Sequence, residues 1–156
     1  GFEPAVLAAV EDRNDAQKEV IFEKIAAHFG GDLKGRTFAV WGLTFKPNTD
    51  DMRDAPSLTI VPALIGAGAK VRVVDPEGQR EGEALLPGAV WVETPYEAAK
   101  GADLVVILTE WNEFRALDLP KLAKRMEVAR MADLRNVYDR AEVLSAGFVA
   151  YDGVGR

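Results

Sequence analysis

From Val6 to Phe29 the apolar positions return every three or four residues, at Val6, Val10, Val20, Ile21, Ile25 and Phe29. That spacing predicts one helix over 4–29. Pro4 suits a first turn and Gly30-Gly31 ends the run. At 1.5 Å per residue such a helix reaches about 38 Å, long for a domain of this size. Its middle, Glu11 to Glu19, is polar on nearly every face. It reads either as a solvated connector or as a linker helix whose partners, another domain or another subunit, lie outside a simple core. His28 falls at the helix end, where a cation is mildly favoured.

Beyond Gly31 the period changes. Thr37–Leu43 (TFAVWGL) is a continuous apolar run and predicts a buried strand; Ser57–Ala67 predicts a helix; Lys70–Pro76 (KVRVVDP) predicts a second strand and Ala89–Glu93 a short third. Thr94-Pro95-Tyr96-Glu97 is a capping box with proline in the first turn, and Gly101 closes that helix. Asp103–Thr109 (DLVVILT) is the most strongly apolar strand. Glu113–Met126 is helical with a break near Asp118 and Pro120, and Val128–Leu134 is a weaker strand. Asp139–Ala146 is a helix that Asp139 can cap, and Phe148–Asp152 is a last strand. No internal repeat and no low-complexity segment interrupts this alternation.

Strand alternating with helix implies a parallel sheet covered on both faces. The expected fold is α/β, a Rossmann-like doubly wound parallel sheet of about six strands in the order 3-2-1-4-5-6, preceded by a long N-terminal helix. The expected division is 1–30 for the helix and 31–156 for the sheet domain. In that order the first strand lies beside the fourth, and ligands bind beyond the carboxyl ends of the strands at this switch point. Three segments converge there: the loop W-G-L-T-F-K-P-N-T-D-D-M-R-D-A-P from Trp41 to Pro56, Glu110-Trp111-Asn112, and Asp133-Leu134-Arg135-Asn136.

Composition narrows the classes. A chain of 156 residues, 48% hydrophobic, suits one compact domain or one domain with an appendage. A net charge of −6 argues against nucleic acid and anionic lipid as partners. No apolar run approaches the roughly 20 residues of a membrane span, and no signal-peptide pattern is visible. Cysteine is absent, which excludes disulfides, thiolate metal sites and a cysteine nucleophile within this chain, and fits a reducing cytoplasm. The first residue is Gly1 rather than methionine, as in a processed product or an excised fragment.

The candidate chemistry sits in the converging segments. A dinucleotide-binding turn reads G-x-G-x-x-G, whereas Gly42 stands alone here. Asp75 ends the second strand, where such domains hold a ribose; without the glycines a strand-end turn is the simpler role. Lys46 and Arg53 suit an anionic ligand, the one as a point charge and the other as a bidentate fork; the alternative is that they pair with Asp50, Asp51 and Asp54 and brace the loop. Arg135 brings a cation from a distant segment to the same mouth, against the alternative of a surface ion pair. The aspartates lack calcium-loop spacing, so no metal site is expected. Trp111 at a strand end can stack on a base or pack against the loop, and packing is the favoured role.

The stretch Gly42–Ser57 is similar to the G-L-x-F-K-P-N-T-D-D-M-R-x-A-P-S motif of the UDP-glucose/GDP-mannose dehydrogenase family, in the form carried by its bacterial UDP-glucose 6-dehydrogenases. Arg13-Asn14-x-x-Gln17 resembles the family's central helix, Leu108-Thr109-Glu110-Trp111-Asn112-Glu113-Phe114 its T-E-W segment, and Asp133-Leu134-Arg135-Asn136 with the closing Gly153-Val154-Gly155-Arg156 its last strands. The likeness covers nearly the whole chain in order. It implies the end of the central connecting and dimerisation helix followed by the C-terminal UDP-binding domain. It implies that Phe45 and Lys46 contact the nucleotide sugar, that Arg135 contacts the substrate near the uridine diphosphate, and that Arg53 reaches an NAD bound mainly by another domain. The family oxidises the sugar's primary alcohol twice, with two NAD and a cysteine that carries a thiohemiacetal and then a thioester. That cysteine and the glycine-rich NAD turn precede the region matched here, so no catalytic residue is assigned to this chain and it is expected to be inactive alone. Implied partners are UDP-glucose or a related UDP-sugar and a second copy through the first helix. The remaining alternatives are a free-standing nucleotide-binding or dimerisation module, and the equivalent domain of a GDP-mannose or UDP-N-acetylmannosamine dehydrogenase.

Overall fold

The computed structural model describes residues 19–153. The predicted start of the first helix, the Arg13-Asn14-x-x-Gln17 segment and residues 154–156 lie outside them. Within them the first helix is present over 19–27 (α1) and ends in turns at 28–31. There follow β1 (Thr37–Trp41), α2 (Ser57–Gly66), β2 (Lys70–Val74), α3 (Gln79–Leu85), β3 (Val90–Trp91), α4 (Pro95–Ala99), β4 (Leu104–Ile107), a 3₁₀ turn (Asn112–Ala116), α5 (Leu119–Arg125), β5 (Arg130–Asp133), α6 (Arg140–Ser145) and β6 (Ala150–Gly153).

The strands form one 6-stranded sheet in the order β3-β2-β1-β4-β5-β6, parallel at every pairing. This is the predicted doubly wound order. Side-chain alternation divides the interior into two cores. Ala39 and Trp41 of β1, with Val105 and Ile107 of β4, face α4, α5 and α6. Phe38 and Val40, with Leu104 and Val106, face α1 and α2. Because both faces are covered, β1 and β4 carry apolar residues at successive positions instead of alternating with polar ones.

α1 is built into the second core through Ile25, which is fully buried. Phe29 meets Phe38 edge-on at 5.4 Å between centroids, and the Arg36 and Arg130 guanidiniums lie 5.0 and 4.9 Å from the Phe29 centroid. The helix end is also tied to the far edge of the sheet. His28 Nε2 is 2.8 Å from Asp152 Oδ2, and Lys24 Nζ donates to the Gly153 carbonyl at 3.3 Å. Among the described residues no helix is long and apolar enough to cross a membrane.

Several elements differ from the sequence reading. β1 stops at Trp41 because Gly42 turns to φ +84°. The helix expected over Glu113–Met126 breaks near Asp118 and Pro120, as predicted, but its first half is a 3₁₀ turn; α5 follows, started by Asp118 accepting from Lys121 N at 3.1 Å with Pro120 in the first turn. α3 has no counterpart in the apolar pattern. Its only buried residue is Gly82, where a Cβ would stand 2.4 Å from the Trp91 ring. Asp139 occupies the cap position of α6 but its side chain accepts no capping bond. Thr94 caps α4 as expected, its Oγ1 accepting from Glu97 N at 3.1 Å, but among the described residues the Glu97 side chain returns no bond to complete a capping box.

Candidate functional site

The switch point lies between β1 and β4, whose ends pair at Trp41 and Ile107. Gly42 follows directly. A Cβ there would lie 2.6 Å from both Cβ and O of Thr109, so the two strand ends approach to a distance only glycine permits. Thr44, fully buried, then fills the floor of the crevice. Its carbonyl accepts from Thr109 Oγ1 at 2.6 Å, and its hydroxyl accepts from Trp111 Nε1 at 3.2 Å. Trp111 is therefore a packing residue, as the sequence suggested.

Asp75, at the end of β2, anchors this loop root. Its Oδ2 accepts from Leu43 N (2.6 Å) and Thr44 N (3.0 Å), while Oδ1 accepts from Glu77 N (2.9 Å) and Gly78 N (2.7 Å). Both oxygens are committed, and none is left for a ribose. Ser57 Oγ donates to the Leu43 carbonyl at 2.6 Å and Phe45 N to the Asp51 carbonyl at 2.8 Å, so the loop closes on its own base. Asn48 and Asp54 take φ of 63° and 58°, a left-handed conformation these two residue types tolerate better than most.

On this braced loop the candidate side chains point outward. Phe45 is 51% exposed despite its aromatic ring. Lys46 is exposed and makes no side-chain hydrogen bond or ion pair among the described residues. Arg53 is clamped: its Nε and Nη2 each lie 3.0 Å from an oxygen of Asp51, and its backbone N donates to the same carboxylate at 2.9 Å. These bonds from Arg53 hold the Asp51 carboxyl down at about 2, with help from the Lys46 charge. The loop-bracing alternative thus describes Asp51 and Arg53, but not Lys46.

Arg135 is set by a second buried aspartate. Asp133, fully buried at the end of β5, accepts from Arg135 N (3.3 Å) and Val137 N (3.0 Å) through Oδ1, and from Tyr138 N (2.8 Å) and Tyr151 Oη (2.9 Å) through Oδ2. The Arg135 guanidinium donates from Nε to Glu110 Oε2, which joins the β4 and β5 ends across the mouth. Partial burial alone would raise the Glu110 carboxyl, but the hydrogen bond and charge of Arg135 outweigh it and hold the group below its ordinary range. No direct contact links Lys46 with Arg135, which follow the carboxyl ends of β1 and β5 on either side of β4.

In the sequence Asp133 and Glu110 stand out only as members of converging segments. For Asp133 the available signal is an aspartate closing an apolar strand, M-A-D, as V-V-D does at Asp75; Glu110 carries no such signal. NAD, which the fold family implies, does not fit this crevice as a resident cofactor. Thr44 and Trp111 occupy its floor, the second and third glycines are missing, and Asp75 is fully engaged. Concavities of about 210 Å³ between α1 and α2 and about 410 Å³ along α5 lie away from these residues.

The sequence profile for the UDP-glucose/GDP-mannose dehydrogenase family, UDP binding domain, matches residues 39–140. The chain belongs to this family. It is 50% identical over 143 residues to the UDP-glucose 6-dehydrogenase of Rhizobium meliloti (strain 1021), covering 92% of this chain and 32% of that protein. It is 43% identical over 162 residues to the UDP-glucose 6-dehydrogenase of Pseudomonas aeruginosa PAO1, covering 100% and 36%. Among solved structures, a UDP-glucose dehydrogenase from Pyrobaculum islandicum superposes with a TM-score of 0.80 at 30% identity, over 99% of this chain and 33% of that one. The chain thus spans about a third of the length of the relatives it matches.

Proposed function

We propose that this chain is the C-terminal UDP-sugar-binding part of an NAD-dependent UDP-glucose 6-dehydrogenase, the cytoplasmic enzyme that oxidises UDP-glucose to UDP-glucuronate in two steps for polysaccharide synthesis. Residues 1–30 end its connecting helix, through which two copies pair, and residues 31–156 hold the nucleotide sugar. The observation that carries this reading is the contrast between the cations of the mouth. Lys46 is exposed and uncommitted on a rigid rim, and Arg135 reaches the same face from β5. Lys46 serves as a point charge for the ligand's phosphates, Phe45 covers an apolar face of the nucleotide sugar, and Arg135 supplies directed N–H donors. Arg53, at the exposed loop tip with Asp51 fixing its direction, faces the NAD-bearing part of the whole protein. UDP-glucose is favoured over GDP-mannose or UDP-N-acetylmannosamine by the names of the relatives at 43–50% identity.

This chain binds and orients, and it contains no cysteine to carry the oxidation. The isolated chain is accordingly expected to form no NADH from UDP-glucose and NAD, whereas the reading frame extended upstream through a glycine-rich turn and a cysteine forms it. Turnover by the 156-residue chain alone contradicts the proposal.

A further inference from the structure

We infer that Glu110 is a positioning residue for ligand binding: it takes the Arg135 guanidinium by Nε and presents the two terminal nitrogens to the anionic oxygens of the nucleotide. This rests on the reading of the mouth as a UDP site. Arg53 and Arg135 each meet one carboxylate, but in different ways. Asp51 grips Arg53 through both oxygens, occupying Nε and Nη2. Glu110 meets Arg135 through Nε, and the Nη1 and Nη2 donors have no hydrogen-bond partner among the described residues. A guanidinium held at Nε has its plane set and its outer edge open, which is the arrangement that grips a phosphate or carboxylate with two parallel bonds.

Both ends of this pair are fixed. Glu110 follows Thr109, whose hydroxyl is bonded to the crevice floor, and the Arg135 backbone is held by Asp133. The Glu110 side chain is 24% exposed and that of Arg135 45%, so the carboxylate lies on the inner side and the cation on the outer. A carboxylate beside an anion site weakens attraction by its charge. Glu110 offsets this by ordering a long side chain before the ligand arrives, so that binding need not order it. Arg135 keeps Glu110 ionised down into the acidic range, so the arrangement is intact at neutral pH.

Calorimetry of UDP binding to the 156-residue chain tests the inference, using Glu110→Gln, Glu110→Ala, Arg135→Ala and the Glu110→Ala/Arg135→Ala double variant. Glu110→Ala is expected to weaken binding about tenfold, the scale of coupling between contacting groups. Glu110→Gln, whose amide oxygen still accepts from Nε, should stay within about threefold of wild type. In the Arg135→Ala background the Glu110→Ala change should cause no further loss, because only the carboxylate's repulsion is then removed. Glu110→Met replaces Glu110→Ala if thermal melts show that the alanine variant is unfolded. Independent losses in the double variant, a glutamine variant as weak as alanine, or an alanine variant as tight as wild type each overturn this inference alone. Absence of UDP binding by the wild-type chain overturns the site reading and this inference with it.

Discussion

At Gly42 one added carbon decides whether the site can form. Alanine would place its Cβ 2.6 Å from Thr109 backbone and side chain at φ +84°. Strain and overpacking together should destabilise the fold by about 3 kcal/mol or more, read as a lower urea midpoint. The two strand-end aspartates act by accepting bonds. In Asp133→Asn an NH₂ group faces backbone donors, so about 2–3 kcal/mol of stability should be lost, and Arg135 with it loses its fixed origin. Tyr138 carries a pH signature. Burial pushes its phenol up to about 12, whereas an unfolded tyrosine titrates near about 10. The folded state therefore keeps the proton longer. This contribution is complete below about pH 10 and is lost as pH rises through about 12. Urea midpoints across that window should fall for wild type and fall less steeply for Tyr138→Phe. The lone Gly42 and the cations were legible in the sequence. The roles of Asp75 and Asp133 were not, because a carboxylate that collects backbone bonds looks the same in a sequence as one that awaits a ligand.

Among the elements, α1 packs against the second core and is tied at its end by polar contacts. Beyond Ile25 and Phe29, its end is tied by His28 to Asp152 and by Lys24 to the Gly153 carbonyl. His28→Ala should speed amide hydrogen exchange over 21–27 several-fold while leaving β1 and β4 protected, because the sheet core does not use this contact. Uniform loss of protection across the sheet would show that α1 is inseparable from the core. The elements legible in the sequence are those with a strong period or a cap with a physical reason, such as β4 and the Thr94 cap of α4. α3 escaped because it packs a glycine against an indole, which leaves no apolar spacing to detect. The helix expected before Met126 divides where Asp118 can accept the first-turn bond.

For the whole molecule, a net charge of −6 makes the local cations informative. Arg53 and Arg135 are each offset by a carboxylate, whereas Lys46 forms no ion pair among the described residues. Sheet order followed from strand and helix alternation alone, and it placed the loop at the mouth. The division of labour within the loop did not follow from it, because it depends on which aspartate each cation meets. UDP calorimetry on the wild-type chain and on Lys46→Ala tests the central claim most directly. The wild type should bind UDP, and Lys46→Ala should bind about tenfold more weakly with a shallower salt dependence. No UDP binding by the folded wild-type chain, or equal binding by the variant, would contradict the account.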